Sequence, residues 1–440
     1  MKNKKWMAIL LGGIMAASLA APCSVSAAEK TTLTFWHAMG GTNGEVLQQI
    51  VDDFNASQDE IEIKAEYQGT YDDTITKLKA AMQSDSGLPD VCQMYDVGTK
   101  FMYDSGAVIP VEDKFESTGY DKSSVMDVIS SYYTVDGKQY AMPFNVSTPM
   151  LYYNKDVFEA AGLDPETPPT TYDEVLEDAK KIVESGAAPV GYSQAIYGWF
   201  FEQQLAGLGV TYGNNDNGRK EAVTAVDFDS NGGGLKVFDM WKKLYDSGYF
   251  EDYGTTTADT QTAFFSGQVG MIIESTAILK NAVDSSPFEV GTGYLPRIEQ
   301  NDEGGVIIGG GSLWLTDTGN EANEDAAWKF IEYITTPDVQ AKWSMGTGYF
   351  AINEKAYETE DMKAYLKENP NFETAINQLK DSPVNCNTAG VLSGVQTEAR
   401  LTFNELMPQV YEGKITTQEG VDQLAASVNK AIENYNESIK

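Results

Sequence analysis

Histidine is nearly absent from this chain of 440 residues: His37 stands alone. Metal sites built on two histidines and helical His-Glu-x-x-His catalysis are therefore excluded, and a lone histidine without a nucleophile-elbow serine reads as a hydrogen-bonded structural residue. Arginine is confined to Arg219, Arg297 and Arg400, and the formal net charge is −34. Nucleic acid is thereby excluded as a partner, because a polyanion is held by clustered Lys and Arg. Such acidity serves solubility in an exported protein, and any anion-binding site must bring its own positive charge. Paired carboxylates are too common here to mark a glycosidase. Gly309-Gly310-Gly311 lacks the spacing of a dinucleotide fingerprint, no phosphate-cradling Gly-x-x-x-x-Gly-Lys loop occurs, and neither a cofactor nor a metal is expected.

Cysteine is also scarce, with Cys23, Cys92 and Cys386 only. Cys23 lies in an N-terminal segment with Lys2, Lys4 and Lys5, an apolar run from Trp6 to Ala21, and the small residues Val25-Ser26-Ala27-Ala28. This arrangement matches a secretory signal over residues 1–28, cleaved after Ala27 or Ala28. The apolar run is shorter than the roughly 20 residues of a spanning helix. A lipidated Cys23 is the alternative, but Ala20-Ala21-Pro22 fits a lipoprotein box poorly, so a periplasmic protein is expected. Cys92 and Cys386 pair only if folding brings their Cα atoms within about 7 Å, which spacing does not reveal.

Hydrophobic residues make up 42% of the chain, enough for a large core divided between lobes. Thr31 to Trp36, Ile61 to Tyr67 and Val91 to Tyr95 read as strands. Between them Leu47, Ile50, Val51 and Phe54, and then Ile75, Leu78 and Met82, recur at helical spacing. A β-α-β-α-β order predicts a parallel sheet, with ligands outside the carboxyl ends of its strands. Pro143 to Pro149 is a proline-bracketed polar segment followed by the apolar run Met150 to Tyr153, and it reads as a hinge beside a cleft. Further crossings are expected near Tyr294-Leu295-Pro296 and Thr347-Gly348-Tyr349-Phe350. Lobe 1 is then 29–141 plus 296–345, and lobe 2 is 142–295 plus 346–440.

Several blocks carry a resemblance: Leu33-Thr34-Phe35-Trp36-His37, Tyr67-Gln68-Gly69-Thr70-Tyr71, Tyr95-Asp96-Val97-Gly98-Thr99, Ile308-Gly309-Gly310-Gly311-Ser312-Leu313-Trp314, Thr347-Gly348-Tyr349 and a C-terminal segment containing Arg400. In these the chain resembles the extracytoplasmic solute-binding proteins of ABC importers, in the sugar-binding group and on the side of those taking glycerol phosphate compounds. The resemblance implies an α/β, two-lobed periplasmic-binding-protein fold of type II with three interlobe crossings, acting as a monomer that delivers its ligand to a membrane permease and performs no chemistry on it. It further implies a cleft lined by Tyr71, Asp96, Ser147, Trp199, Ser275 or Thr276, Gly310 or Gly311, Tyr349 and Arg400. Arg400 would meet the phosphate of glycerol-3-phosphate or a glycerophosphodiester, and Asp96 and Trp199 the glycerol. The family has glutamate at the position of Asp96 and a tryptophan at that of Ile196, which loosens the fit to a small ligand. A neutral oligosaccharide on the same fold is the alternative, and a secreted hydrolase a remote one.

Overall fold

A computed structural model describes residues 30–84 and 87–440. The expected signal, its cleavage site and Cys23 lie outside them. β1 (Thr31–His37), β2 (Ile61–Tyr67) and β3 (Val91–Tyr95) are parallel, in the order β2-β1-β3. Crossover helices Gly41–Ser57 and Tyr71–Met82 join them. The first helix buries Leu47, Ile50, Val51 and Phe54, the face its periodicity predicts. The second starts on a capping box: Thr70 Oγ1 accepts from the Asp73 amide at 3.2 Å, and Asp73 Oδ2 accepts from the Thr70 amide at 2.9 Å. That cap fixes Tyr71 as the first helical residue.

The next strands are β4 (Val108–Ile109), the hairpin of β5 (Thr134–Val135) and β6 (Lys138–Gln139), β7 (Met142–Ser147), β8 (Pro149–Asn154), β9 (Val190–Ser193), β10 (Val269–Ser275), β11 (Val290–Gly293) and β12 (Gly309–Thr316). β12 enters the first sheet antiparallel beside β3 and carries β4 and β7, so the sheet is mixed rather than wholly parallel. The second sheet has the order β11-β8-β10-β9.

The chain therefore leaves the first sheet at Thr148, between β7 and β8, and not at Pro143 to Asn145. β7 lies on the first-sheet side, although the boundary read from the sequence puts residue 142 in lobe 2. The physical reason is that β12 offers β7 an antiparallel edge, and a register shift at Gly311/Ser312 absorbs Pro143, which has no N–H to give. Thr148 is pinned where it crosses: its amide donates to Thr276 Oγ1 at 3.2 Å, and its carbonyl accepts from the Thr276 amide at 2.8 Å.

Two large apolar clusters form the core, the first of them taking Met150, Tyr152, Val269 and Ile272 from the second sheet as well as residues of the first. One gathers Leu33, Phe35, Trp314 and Phe330, the other Phe201, Phe238, Trp241 and Phe403. Ile196 is fully buried in the second. Cys92 and Cys386 are both free thiols. His37 is buried and accepts from the Met39 amide at Nδ1 (3.3 Å), and burial lowers its pKa to about 4.

Candidate functional site: an arginine between two carboxylates

Asp96 follows β3 directly, at the carboxyl end of a central strand, and is 6% exposed. Arg400, 7% exposed, comes from the helix Gln396–Tyr411 on the far side of the cleft. Its Nη2 donates to Asp96 Oδ2 at 2.6 Å and to Glu202 Oε2 at 2.7 Å, while Nε donates to Glu202 Oε1 at 2.8 Å. Glu202 sits in the helix Gly198–Gly207 and also accepts from Gln396 Nε2 at 3.0 Å. The two helices approach closely because Gly198 has no side chain: a Cβ there would stand 2.5 Å from Arg400 Cα. Burial pushes the Glu202 carboxyl above its ordinary range even though Arg400 opposes the shift.

Nε and Nη2 are thus occupied, whereas Nη1 donates to no group among the described residues. Two guanidinium hydrogens remain for a ligand. Tyr197 lies under the guanidinium, 5.9 Å from ring centroid to Cζ, and feels the charges of Asp96, Glu202 and the buried Glu274 as well.

The opposite wall is neutral. Tyr71 stacks on Tyr95 with centroids 5.0 Å apart, and its hydroxyl accepts from Asn145 Nδ2 at 2.6 Å. Asn145 Oδ1 in turn accepts from Gln93 Nε2 at 2.7 Å. Tyr349, stacked on Trp343, lies beside Asn145 and Tyr71, which both act on its phenol. Burial raises both phenols, and for Tyr71 the neighbouring Tyr349 adds to the rise. Such phenols stay protonated and act as donors or acceptors.

Trp199, 5% exposed, packs against Gly309, where a Cβ would come within 2.7 Å of the indole. Gly310 has φ +89° and meets the Asn145 carbonyl so closely that only glycine fits. Ser147 ends β7 and is buried. Thr148, in the connection between β7 and β8, accepts from Gln378 Nε2 at 3.3 Å. The Ser275 hydroxyl caps the following turn, accepting from the Ala277 amide at 3.2 Å, and Thr276 belongs to the crossing at Thr148.

Asp96 and Arg400 therefore meet in one network, and Tyr71 and Tyr349 in another. Trp199 packs on Gly309, which pairs with Ser147, and Gly310 meets the Asn145 carbonyl. Sequence reasoning missed Glu202, Gln396, Asn145 and Gln93. A signal for Glu202 existed: Trp199-Phe200-Phe201-Glu202-Gln203-Gln204-Leu205 is buried throughout, and a carboxylate in such a helix needs a cation. Among the described residues no group of three His, Cys, Asp or Glu is placed to hold a metal ion.

The family model of the bacterial extracellular solute-binding proteins matches residues 49–374. The chain belongs to this family. As a solute-binding protein it is similar to the sn-glycerol-3-phosphate-binding periplasmic protein UgpB of Escherichia coli K12, at 30% identity over 417 residues, covering 93% of this chain and 94% of that one. Among solved structures it is similar to the cyclic α-maltosyl-1,6-maltose binding protein of Arthrobacter globiformis (TM-score 0.75, 26% identity, 92% of this chain and 100% of that one). UgpB of Mycobacterium tuberculosis in complex with glycerophosphocholine shares the fold (TM-score 0.79, 20% identity, 92% of this chain and 99% of that one). These folds are two-lobed α/β binding proteins, as the sequence predicts. Among the described residues no helix is long and apolar enough to cross a membrane.

Proposed function

We propose that this protein is the substrate-binding component of an ABC importer that takes a glycerol phosphate compound into the interlobe cleft and delivers it to a membrane permease from the periplasm. The observation that carries this reading is the free Nη1 amino group of Arg400 in a chain of only three arginines. The free Nη1 amino group offers two charge-assisted N–H donors to phosphate oxygens, and the hydroxyls of Tyr71, Ser147 and Tyr349 suit the remaining oxygens. The kinship with the sn-glycerol-3-phosphate-binding protein supports the same class.

The charge balance selects within it. Arg400 is already shared by Asp96 and Glu202, and Glu274 adds negative charge at the adjacent Tyr197. A dianionic monoester meets a surplus of negative charge, whereas a monoanionic glycerophosphodiester meets less, and a cationic head group on it would find the carboxylates and the aromatic faces of Tyr197 and Trp199. Glycerophosphocholine has this chemistry. A neutral oligosaccharide is the second reading, favoured by the stacked aromatic rings alone.

The test is calorimetry and thermal shift on the mature protein with glycerophosphocholine, glycerol-3-phosphate, inorganic phosphate and maltose. Glycerophosphocholine is expected to bind most tightly. Stabilisation by maltose with no response to either ester would overturn the phosphate reading.

A further inference from the structure

A cavity of about 570 Å3 lies against the crossing at Tyr294-Leu295-Pro296. None of Tyr71, Asp96, Trp199, Tyr349 or Arg400 lines it. Its size is that of a small-molecule site, and its walls are apolar where they meet Pro168, Leu295 and Ile298. Arg297, also in the lining, makes no side-chain hydrogen bond or ion pair among the described residues. Arg297 is exposed, so its charge is open to a ligand as well as to water, and Asp302 is an acidic group that feels it. The carboxylate in the lining, Asp381, accepts from the Tyr294 hydroxyl at 2.8 Å.

The cavity is built on the parts that join the lobes. Gln378, which lines it, donates from Nε2 to the Pro149 carbonyl at 2.7 Å and accepts at Oε1 from the Leu295 amide at 2.5 Å, tying the first crossing to the second. Gln204 lines it from the helix Gly198–Gly207. Its neighbour Gln203 clamps both the N–H and the C=O of Ile307 at 2.8 Å, and Glu202 beyond holds Arg400. A body in the cavity thus touches the helix that forms one wall of the cleft.

We propose that this cavity is a second binding site, for an amphiphilic carboxylate whose apolar body rests on Pro168, Leu295 and Ile298 and whose carboxylate meets Arg297, and that it is coupled to the cleft through Gln378 and the helix Gly198–Gly207. The geometry supplies a filling variant: Gly207 lines the cavity, and a Cβ there meets no atom within 4 Å. Octanoate and its uncharged counterpart octanamide are the probes, titrated calorimetrically into the mature protein. Wild type is expected to prefer octanoate. Gly207→Leu should weaken octanoate at least tenfold, and Arg297→Gln should abolish the preference over octanamide. Octanoate should also shift the methyl resonances of Leu295 and Ile298 in the unaltered protein. Undetectable octanoate binding, undiminished binding to Gly207→Leu, or shifts confined to cleft residues would each overturn the site. Saturating glycerophosphocholine should change octanoate affinity at least threefold, and a smaller change overturns the coupling. If glycerophosphocholine itself does not bind, only the phosphodiester reading falls, and the octanoate measurements still judge the cavity.

Discussion

Arg400 and Arg219 both tie together segments far apart in the chain, yet they are held in opposite ways. Arg400 has two carboxylates, Asp96 and Glu202, and although burial pulls its pKa down, their charges outweigh it. Arg219 has none: Nε donates to the Gly390 carbonyl at 3.0 Å, Nη1 to the Tyr132 carbonyl at 2.8 Å and Nη2 to the Ala389 carbonyl, with Tyr132 stacked 5.0 Å away. Burial lowers its pKa to about 10. Its placement is itself costly, since the preceding Asn215, Asp216 and Asn217 all have φ near +56 to +59°. Asn and Asp tolerate that region best, and Asn217 secures the turn by accepting from the amides of Tyr212 and Gly213 at 2.8 and 2.9 Å. The difference teaches that one guanidinium is spent on backbone carbonyls, while the other keeps one amino group free and a charge environment that a ligand can alter.

The strongest way to break this contrast is Arg400→Ala, which leaves Asp96 and Glu202 buried without a cation. Ester binding should weaken by about 2–4 kcal/mol by calorimetry, and unchanged affinity would remove Arg400 from the site. His37 extends the contrast to a second base buried without a counter-charge. Its folded pKa of about 4 lies below the ordinary 6.5, so between those values the unfolded chain holds more protons and stability falls as pH drops. The loss should be on the order of 2 kcal/mol by pH 4, allowing for partial screening, and His37→Gln should flatten that slope in urea titrations.

Arg219→Ala should cost about 1–3 kcal/mol of stability by stranding three carbonyls, and should lower affinity for charged and neutral ligands alike. If it hurt only the anionic ligands, the contrast would collapse. Glu202→Gln sharpens the comparison from the other side: the ratio of glycerol-3-phosphate to glycerophosphocholine affinity should move toward the monoester by about 1–2 kcal/mol. Tyr71→Phe is expected to be mildest, removing the acceptor for Asn145 at about 0.5–1.5 kcal/mol of binding.

Part of this arrangement was legible in the residue order. Period-3.6 apolar spacing located the helix Gly41–Ser57 and the buried Val421, Leu424, Ala425 and Val428 of the last helix, because a surface helix must bury one stripe. The isolated histidine was rightly a structural one. The passage between sheets was displaced to Thr148, because proline marks an extended segment but does not say which sheet edge will accept it. Glu202 escaped notice because a carboxylate in so acidic a chain looks solvated until its helix is seen to be buried on every side.

Sequence by itself determined the exclusions and the family: a chain with one histidine, three arginines and a charge of −34 cannot build a two-histidine metal site or a basic nucleic-acid surface, whatever its fold. Tertiary structure decided what the arginines do. Residues 96, 202 and 400 are far apart in the chain, and only the packing of Gly198 against Arg400 and the docking of β3 across from them bring two carboxylates to one guanidinium. Charge pairing in a buried cleft depends on distances of a few ångströms, which chain order does not encode.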